Sequence, residues 1–429
     1  MKINGEKLKK IKVSASNFLK ILPERVKKIM KAPGSDVKQP ASYKPNSLAA
    51  SLHPEFISAE VAETRQLPGS TVMYTLVPDA SRGTSSLAPF AAGQYVSVTV
   101  EIDGCVYRRP YSICSSPSEA LPARTGLWPV AKSVHPYPNG FYRIAVKLQE
   151  GGKVSEFIHK TWQKGTKTVI SAPEGLFTYE PLRDAPNVVG IAGGVGITPF
   201  RSMVKAILEG SEDFSLTLLY GARRESDILF REELDGAAAC SEGRIKVVYV
   251  LSDEQKEGFE HGFITAETVA KYAPGEYPYS VFAAGPDAML KSLENELPKL
   301  PRPLRRKFVR FDARGVPQDV KAEPDYTAPS QEFYTVKVRN GGAAFEITCG
   351  AGETLLSAME RSGVNAPSLC RSGECGFCHT KLISGSYYMP ASRDGRRQAD
   401  SVYGYIHPCC TYPRSDMELD VPVAKTPRA

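Results

Sequence analysis

The chain of 429 residues has no run of about 18 or more apolar residues, which excludes a helix long enough to span a bilayer. No apolar stretch with a cleavage site follows the N-terminus, so the expected location is the cytoplasm. Nothing resembling a disulfide framework is present. The nine cysteines are an odd number, and Cys105, Cys114, Cys240, Cys349 and Cys410 are scattered without framework spacing. Free cysteine is a common small core residue, and unpaired thiols suit a reducing interior. A basic groove interleaved with aromatics is also missing, as is any reader motif, so nucleic acid is not expected as a partner. No internal repeat is visible.

Acidic residues are too few to balance the basic ones at the N-terminus. Residues 1–31 hold ten Lys or Arg against Glu6 and Glu24, a charge of +8. The whole chain is +7, so the other 398 residues carry about −1, and the basic balance describes one short extension. Within it Phe18, Leu22, Val26, Ile29 and Met30 recur at near-helical spacing among lysines, the mark of a basic amphipathic segment. Pro23 interrupts the pattern, at a place suited to the first turn of a second short helix. Three readings stay open: a solvated tail packing one apolar face on the body, a peripheral anchor on the inner membrane face, and a docking arm for an acidic partner.

Apolar content of 42% and charged content of 24% are ordinary for globular protein, and the length allows two to four domains. Composition divides the chain into a basic extension (1–35), a Pro-bearing linker (36–54), an all-β part (55–185), an α/β part (186–311), a second polar linker (312–332) and a C-terminal part (333–429). Short alternating stretches such as 95–100, separated by Gly and Pro turns, predict a small β-barrel. Apolar strands at 187–192, 215–220, 245–250 and 280–283, alternating with helical segments, predict a parallel α/β sheet.

The C-terminal part carries the most specific pattern. Cys370, Cys375 and Cys378 are spaced C-x4-C-x2-C, and Cys409 follows thirty-one residues later, the plant-type spacing for a [2Fe–2S] cluster. Small residues at Ser372, Gly373 and Gly376 let backbone N–H groups turn toward the sulfurs. A structural zinc site is the rival reading, but zinc usually takes two C-x2–4-C pairs and one is present. Cys410 competes as fourth ligand. Cys409 is preferred because the stretch from Cys409 to Asp416 resembles the one after the last ligand of plant-type ferredoxins.

Two further patterns suggest cofactors. Arg109-Pro110-Tyr111-Ser112 places a cation, an aromatic ring and a hydroxyl on one extended stretch, with Arg109 and Tyr111 on the same face. They suit a flavin's phosphate, ring and N5. Gly151-Gly152-Lys153-Val154-Ser155 then opens a helix, where Gly152 and Ser155 could cradle phosphate or simply cap the helix. In the α/β part a strand ending at Ala192 leads into Gly193-Gly194-Val195-Gly196-Ile197-Thr198-Pro199, with a helix expected from Phe200, a turn that lets a pyrophosphate approach. Gly285 and Pro286 follow the last strand at the sheet's carboxyl end.

In this order the elements closely resemble the ferredoxin–NADP reductase superfamily, specifically members with a C-terminal plant-type ferredoxin domain. The resemblance covers residues 55–423. It implies a flavin barrel, a nucleotide domain and an α+β ferredoxin-like (β-grasp) fold in series. Arg109, Tyr111 and Ser112 would contact flavin, Gly152 and Ser155 lie near its phosphates, Gly194, Gly196, Thr198, Pro199, Gly285 and Pro286 hold the dinucleotide, and Cys370, Cys375, Cys378 and Cys409 ligate the cluster. FAD is expected over FMN, since most relatives take it. Relatives using NADPH often place Ser-Arg after the third strand. This chain has Ser252-Asp253-Glu254, whose carboxylates favour NADH, although Arg223 and Arg224 could supply a cation. The family commonly has Cys-Gly-Pro where this chain has Ala284-Gly285-Pro286, which bears on the rate of hydride transfer.

The resemblance implies an NADH-dependent reductase passing single electrons to an external acceptor protein. The chemistry belongs to the cofactors, so no general acid–base residue is expected. The other readings are a redox-responsive subunit without turnover, and reverse transfer from a carrier to NAD.

Overall fold

The computed structural model describes residues 54–122, 136–275, 277–312, 315 and 319–425, with isolated positions 23, 26, 27, 48, 49 and 52. The amphipathic reading of the N-terminal extension lies outside the described residues, except that Pro23, Val26 and Lys27 are helical and exposed. Contacts divide the chain into Met1–Ala50 and Ser51–Ala429, and everything below concerns the second unit.

Six antiparallel strands form the first fold: β1 (Phe56–Leu67), β2 (Thr71–Pro78), β3 (Tyr95–Ile102), β4 (Cys105–Ser112), β5 (Tyr142–Lys147) and β6 (Lys167–Ser171), in the order β4-β3-β6-β1-β2-β5. A bridge between Ile113 and Ile144 joins the two edges, closing the sheet into the expected barrel. Its interior takes the alternate residues Val96, Val98 and Val100 of β3. Tyr95 and Ser97 on the opposite face are buried as well, because the C-terminal part covers that face: Ser97 Oγ donates to Leu369 O at 3.3 Å. Helix α1 (Lys153–Thr161) follows β5.

The second fold is a six-stranded parallel sheet, β10-β9-β8-β7-β11-β12. Its strands are β7 (Asn187–Gly193), β8 (Ser215–Ala222), β9 (Ile245–Leu251), β10 (Glu260–His261), β11 (Ser280–Ala284) and β12 (Val309–Phe311). Helices α2 (Ile197–Leu208), α3 (Arg231–Cys240), α4 (Ala266–Tyr272) and α5 (Asp287–Glu296) connect them. Successive β7 residues enter different cores, Val188 and Ala192 on one side and Val189 and Ile191 on the other. Burial on both faces explains the uninterrupted apolar run. The chain steps outward from β7 to β8 and β9, then returns to β11 on β7's other side. The carboxyl ends of β7 and β11 therefore flank a topological switch point, the usual ligand crevice of such sheets.

Helix α2 starts at Ile197, three residues before the expected Phe200. Proline is tolerated in a first helical turn, where its missing N–H has no intrahelical partner to lose, so Pro199 does not delay the helix. Phe200 packs edge-on against Phe177 at 5.6 Å between centroids, in a core that also takes Met73, Ala92 and Cys114 from the barrel.

The third fold is a mixed sheet, β14-β13-β19-β15-β17, built from β13 (Phe333–Asn340), β14 (Ala343–Gly350), β15 (Thr380–Ser384), β17 (Tyr405–Ile406) and β19 (Met417–Val421). Helix α6 (Leu355–Arg361) packs on it through Leu355, Leu356 and Met359. A short helix α7 (Gln398–Val402) and the pair β16 (Tyr387–Tyr388) and β18 (Tyr412–Pro413) complete the part.

The stretch read as a second linker makes specific contacts. Val320 packs with Tyr388 and Tyr412, Asp325 accepts from the Tyr388 hydroxyl at 2.9 Å, and Glu323 is buried opposite Lys291 of α5. Its polar composition reflects pairing across folds, which composition alone does not distinguish from solvent exposure.

Candidate functional site

The three close cysteines lie in the loop between α6 and β15, and Cys409 in the turn Pro408–Cys410. Cys370, Cys378 and Cys409 are buried while Cys375 is exposed. Three residues of the loop have left-handed backbone, Arg371 (φ 56°), Gly373 (φ 87°) and Gly376 (φ 69°). At Gly373 the requirement is also steric, because a Cβ there would fall on the carbonyl oxygen of Arg393. This path aims amides at sulfur: Ser372 N and Cys375 N donate to Cys370 Sγ at 3.5 Å each, and Phe377 N donates to Cys375 Sγ at 3.5 Å.

The four thiols form two pairs. The hydrogen bond from Cys375, aided by the donors around Ser372, holds the Cys370 thiol below its ordinary range, while the same bond pushes Cys375 up. Cys378 is likewise raised, first by its contact with Cys409 and then by burial. Among the described residues no three His, Cys, Asp or Glu converge as one ion would require. Cys370, Cys375, Cys378 and Cys409 would together hold a binuclear centre, and iron would relieve the mutual repulsion of adjacent thiolates. Cys410 touches Cys409, but its Sγ also lies within donating distance of His407 O (3.4 Å) and Arg393 O (3.6 Å). His407 binds Gly373 O through Nδ1 at 2.8 Å, leaving a buried Nε2 without a partner beside the loop. The residues present fit a [2Fe–2S] cluster.

A pocket of about 670 Å³ lies beside β4. Arg109, Pro110 and Tyr111 form one wall, and Gly151, Gly152 and Ser155 at the start of α1 form another, so two motifs forty residues apart meet in one place. Ser112 does not line it. The Ser155 hydroxyl is committed to its own turn, accepting from Gln149 N at 3.1 Å and lying 3.0 Å from Gly152 O. Burial pushes the Tyr111 phenol well above its ordinary range. The third wall belongs to the C-terminal part: Glu353, Ser357, Glu360 and Arg361.

A cleft of about 730 Å³ opens at the switch point of the parallel sheet, lined by Gly193, Gly194, Val195, Arg223, Asp227, Ser252, Pro286 and Met289 among others. Of the dinucleotide residues expected from sequence, Gly194 and Pro286 line this cleft. The other four shape the turn behind it. Gly196 and Gly285 are pressed together, so that a Cβ at Gly196 would fall on the carbonyl of Ala284 and one at Gly285 on Met289. The Thr198 hydroxyl donates to Val195 O at 2.9 Å, and Pro199 is buried in α2. The carboxylates at 253–254 are also placed differently from expectation. Asp253 accepts from Ser252 Oγ and Glu254 from Glu225 N, and neither lines the cleft. Asp227 does, with Arg223 at 3.8 Å.

Sequence reasoning did not find Tyr95, Glu360 and Arg371. Tyr95 pairs with Ser112 across β3 and β4. Its phenol is pushed far up, by burial first and then by Cys370 and Cys375, which places the barrel wall beside the cysteines. Nothing local in the sequence distinguishes these three from core or surface residues.

Gly194 and Gly196 are expected to respond differently to alanine. Gly194→Ala places its methyl in open cleft space, costs about 1–2 kcal/mol in the left-handed backbone, and weakens dinucleotide binding. Gly196→Ala forces the β11 turn apart and lowers the thermal midpoint more than Gly194→Ala does. Thermal unfolding and a titration with NADH, run on both variants, check this.

Residues 191–295 match the model of the oxidoreductase NAD-binding domain, and residues 338–414 that of the 2Fe-2S iron-sulfur cluster binding domain. Glycine betaine monooxygenase reductase subunit of Chromohalobacter salexigens is 27% identical over 345 residues, covering 77% of this chain and 87% of its own. The structure of phthalate dioxygenase reductase superposes with a TM-score of 0.58 at 23% identity over 86% of this chain and 98% of that one, a likeness of fold. Ferredoxin–NADP reductase B of Sorangium cellulosum is 32% identical over 229 residues, 52% of this chain and 84% of that protein. With a barrel and a parallel sheet followed by the cluster-binding part, the chain belongs to the ferredoxin–NADP reductase superfamily, in the branch carrying a C-terminal [2Fe–2S] ferredoxin domain.

Proposed function

We propose that the protein takes a hydride from NADH onto FAD and passes electrons one at a time through its [2Fe–2S] cluster to a separate redox protein. An oxygenase component is the class of acceptor that similar reductase subunits serve. The observation that carries this reading is the pocket beside β4, walled on one side by the Arg109–Tyr111 motif and on another by the helix that leads into the cluster loop. A flavin is needed between the other two groups because a nicotinamide gives two electrons together and the cluster accepts one. The chain's own residues bind and orient. Tyr111 supplies an apolar ring face and Arg109 a cation, Gly152 allows close approach at the start of α1, and the cleft beside Gly194 and Pro286 directs a dinucleotide toward the barrel. Cys370, Cys375, Cys378 and Cys409 hold the cluster, with Ala284 closing the turn where relatives carry cysteine.

Serine at position 375 tests the modular reading. Cys375→Ser is expected to abolish the cluster's visible absorption and reduction of the protein acceptor, leaving flavin bleaching by NADH intact. Loss of bleaching itself would sink the reading.

For the dinucleotide, Asp227 takes the role assigned earlier to Asp253 and Glu254. Its carboxylate accepts a ribose hydroxyl and repels a 2′-phosphate, while Arg223 beside it limits the discrimination. The expected result is a lower KM for NADH than for NADPH, with the gap narrowing in Asp227→Asn. Steady-state rates with both cofactors give the answer, and a lower KM for NADPH in the unmodified protein refutes it.

No helix among the described residues is long and apolar enough to cross a membrane, and we place the protein in the cytoplasm. The basic extension then serves as a contact arm for an anionic membrane surface or an acidic partner. Deleting residues 1–31 is expected to leave NADH-to-dye activity unchanged and to weaken vesicle or partner binding at low salt. A truncated protein that loses flavin or precipitates assigns the segment to the body instead.

A further inference from the structure

Arg109 belongs to the flavin motif, yet its guanidinium also reaches out of the barrel. Nη1 donates to Arg108 O at 2.8 Å and to Glu360 of α6 at 3.0 and 3.3 Å. Glu360 is only 3% exposed, and a buried carboxylate needs charged or hydrogen-bonding partners. Its second partner is Arg371, whose Nη1 lies 2.7 Å from Glu360 Oε1. Arg371 directly follows Cys370, is itself 5% exposed, and has a left-handed backbone, a conformation that persists in a non-glycine residue only when its surroundings enforce it. Its Nη2 also reaches Ser357 Oγ at 3.4 Å, one turn earlier on α6. Next to this triad, Arg108 Nη1 binds Asn365 Oδ1 at 3.1 Å and Ala366 O at 3.3 Å. One carboxylate thus joins the strand that carries the flavin motif to the residue beside the first cluster cysteine.

We propose that Glu360 is a positioning residue for internal electron transfer, holding Arg109 on β4 and Arg371 beside Cys370 so that flavin and cluster keep a fixed separation. The inference rests on the flavin and cluster assignments above. It differs from a purely electrostatic role in a way that can be measured. Removing the negative charge leaves two cations near an anionic cluster and raises the cluster's reduction potential, which by itself would speed electron arrival. Losing the positioning contact slows it.

The test uses full-length protein carrying flavin and cluster, with iron and flavin content verified, as wild type, Glu360→Gln and Arg371→Met. Stopped-flow mixing with NADH resolves flavin bleaching from cluster reduction, and a redox titration followed by electron paramagnetic resonance gives the cluster potential. Hydrogen exchange of residues 105–112 reports docking independently of electron flow. Glu360→Gln is expected to raise the potential and Arg371→Met to lower it. Both are expected to slow cluster reduction relative to the hydride step by about tenfold or more, as small misplacements do, and both to increase exchange in residues 105–112. Rates that rise with the potential in Glu360→Gln and fall with it in Arg371→Met, or exchange unchanged in both, would overturn the role of Glu360. Wild-type protein that cannot reduce its own cluster with NADH would instead refute the functional reading on which the inference rests.

Discussion

Paired charge at the seams between folds is the constraint on which the arrangement depends. Between barrel and parallel sheet, Arg201 of α2 donates to Cys114 O at 2.5 Å while binding Glu233, and Lys205 meets Glu119 at 2.6 Å. Between parallel sheet and ferredoxin fold, Arg393 pairs with Asp287 at the start of α5, and Lys291 bridges Asp287 and Glu323. Between barrel and ferredoxin fold the pairing passes through Glu360. Where both partners are buried, as in Arg371–Glu360 and Arg393–Asp287, desolvation offsets most of the attraction, but leaving one partner unpaired costs about 3–5 kcal/mol. That asymmetry disfavours docking geometries in which either pair is broken. A protein that must hold redox groups at fixed separations has reason to use it.

The glycines of the nucleotide turn illustrate two uses of one residue type. Gly194 gives the cleft its open floor through a left-handed backbone, whereas Gly196 and Gly285 let two chain segments touch where any side chain would separate them. The result is that β7 and β11 end at the same level, and the crevice between them has backbone walls. Ala284 fits this picture. It is fully buried, and its carbonyl is the surface against which Gly196 packs, so the position serves packing whatever a sulfur would add on the cleft side.

What could be read from sequence is what repeats or clusters locally. The spacing of Cys370, Cys375 and Cys378, the strands of the parallel sheet and the glycine turns all carry their information within a few residues, and the family resemblance follows from their order. Glu360 and Arg109 are separated by 251 positions, and a buried glutamate on a short helix has no local signature that sets it apart from an exposed one. The same limit applies to residues 312–332, where Glu323 and Asp325 look like solvated linker until their partners Lys291 and Tyr388 are in place. That Asp227 lines the cleft while Asp253 and Glu254 do not was not legible for a related reason. Which carboxylate faces the cleft depends on how two loops fold over each other, and sequence position does not encode that.

The pocket beside β4 takes two walls from residues 107–155 and its third from residues 353–361. A ribosome makes these walls in that order. Until residues 353–361 are made and α6 docks against the barrel, the first two walls form only an open groove. The pocket is therefore a property of the finished chain, completed by a segment about two hundred residues downstream of the walls it meets.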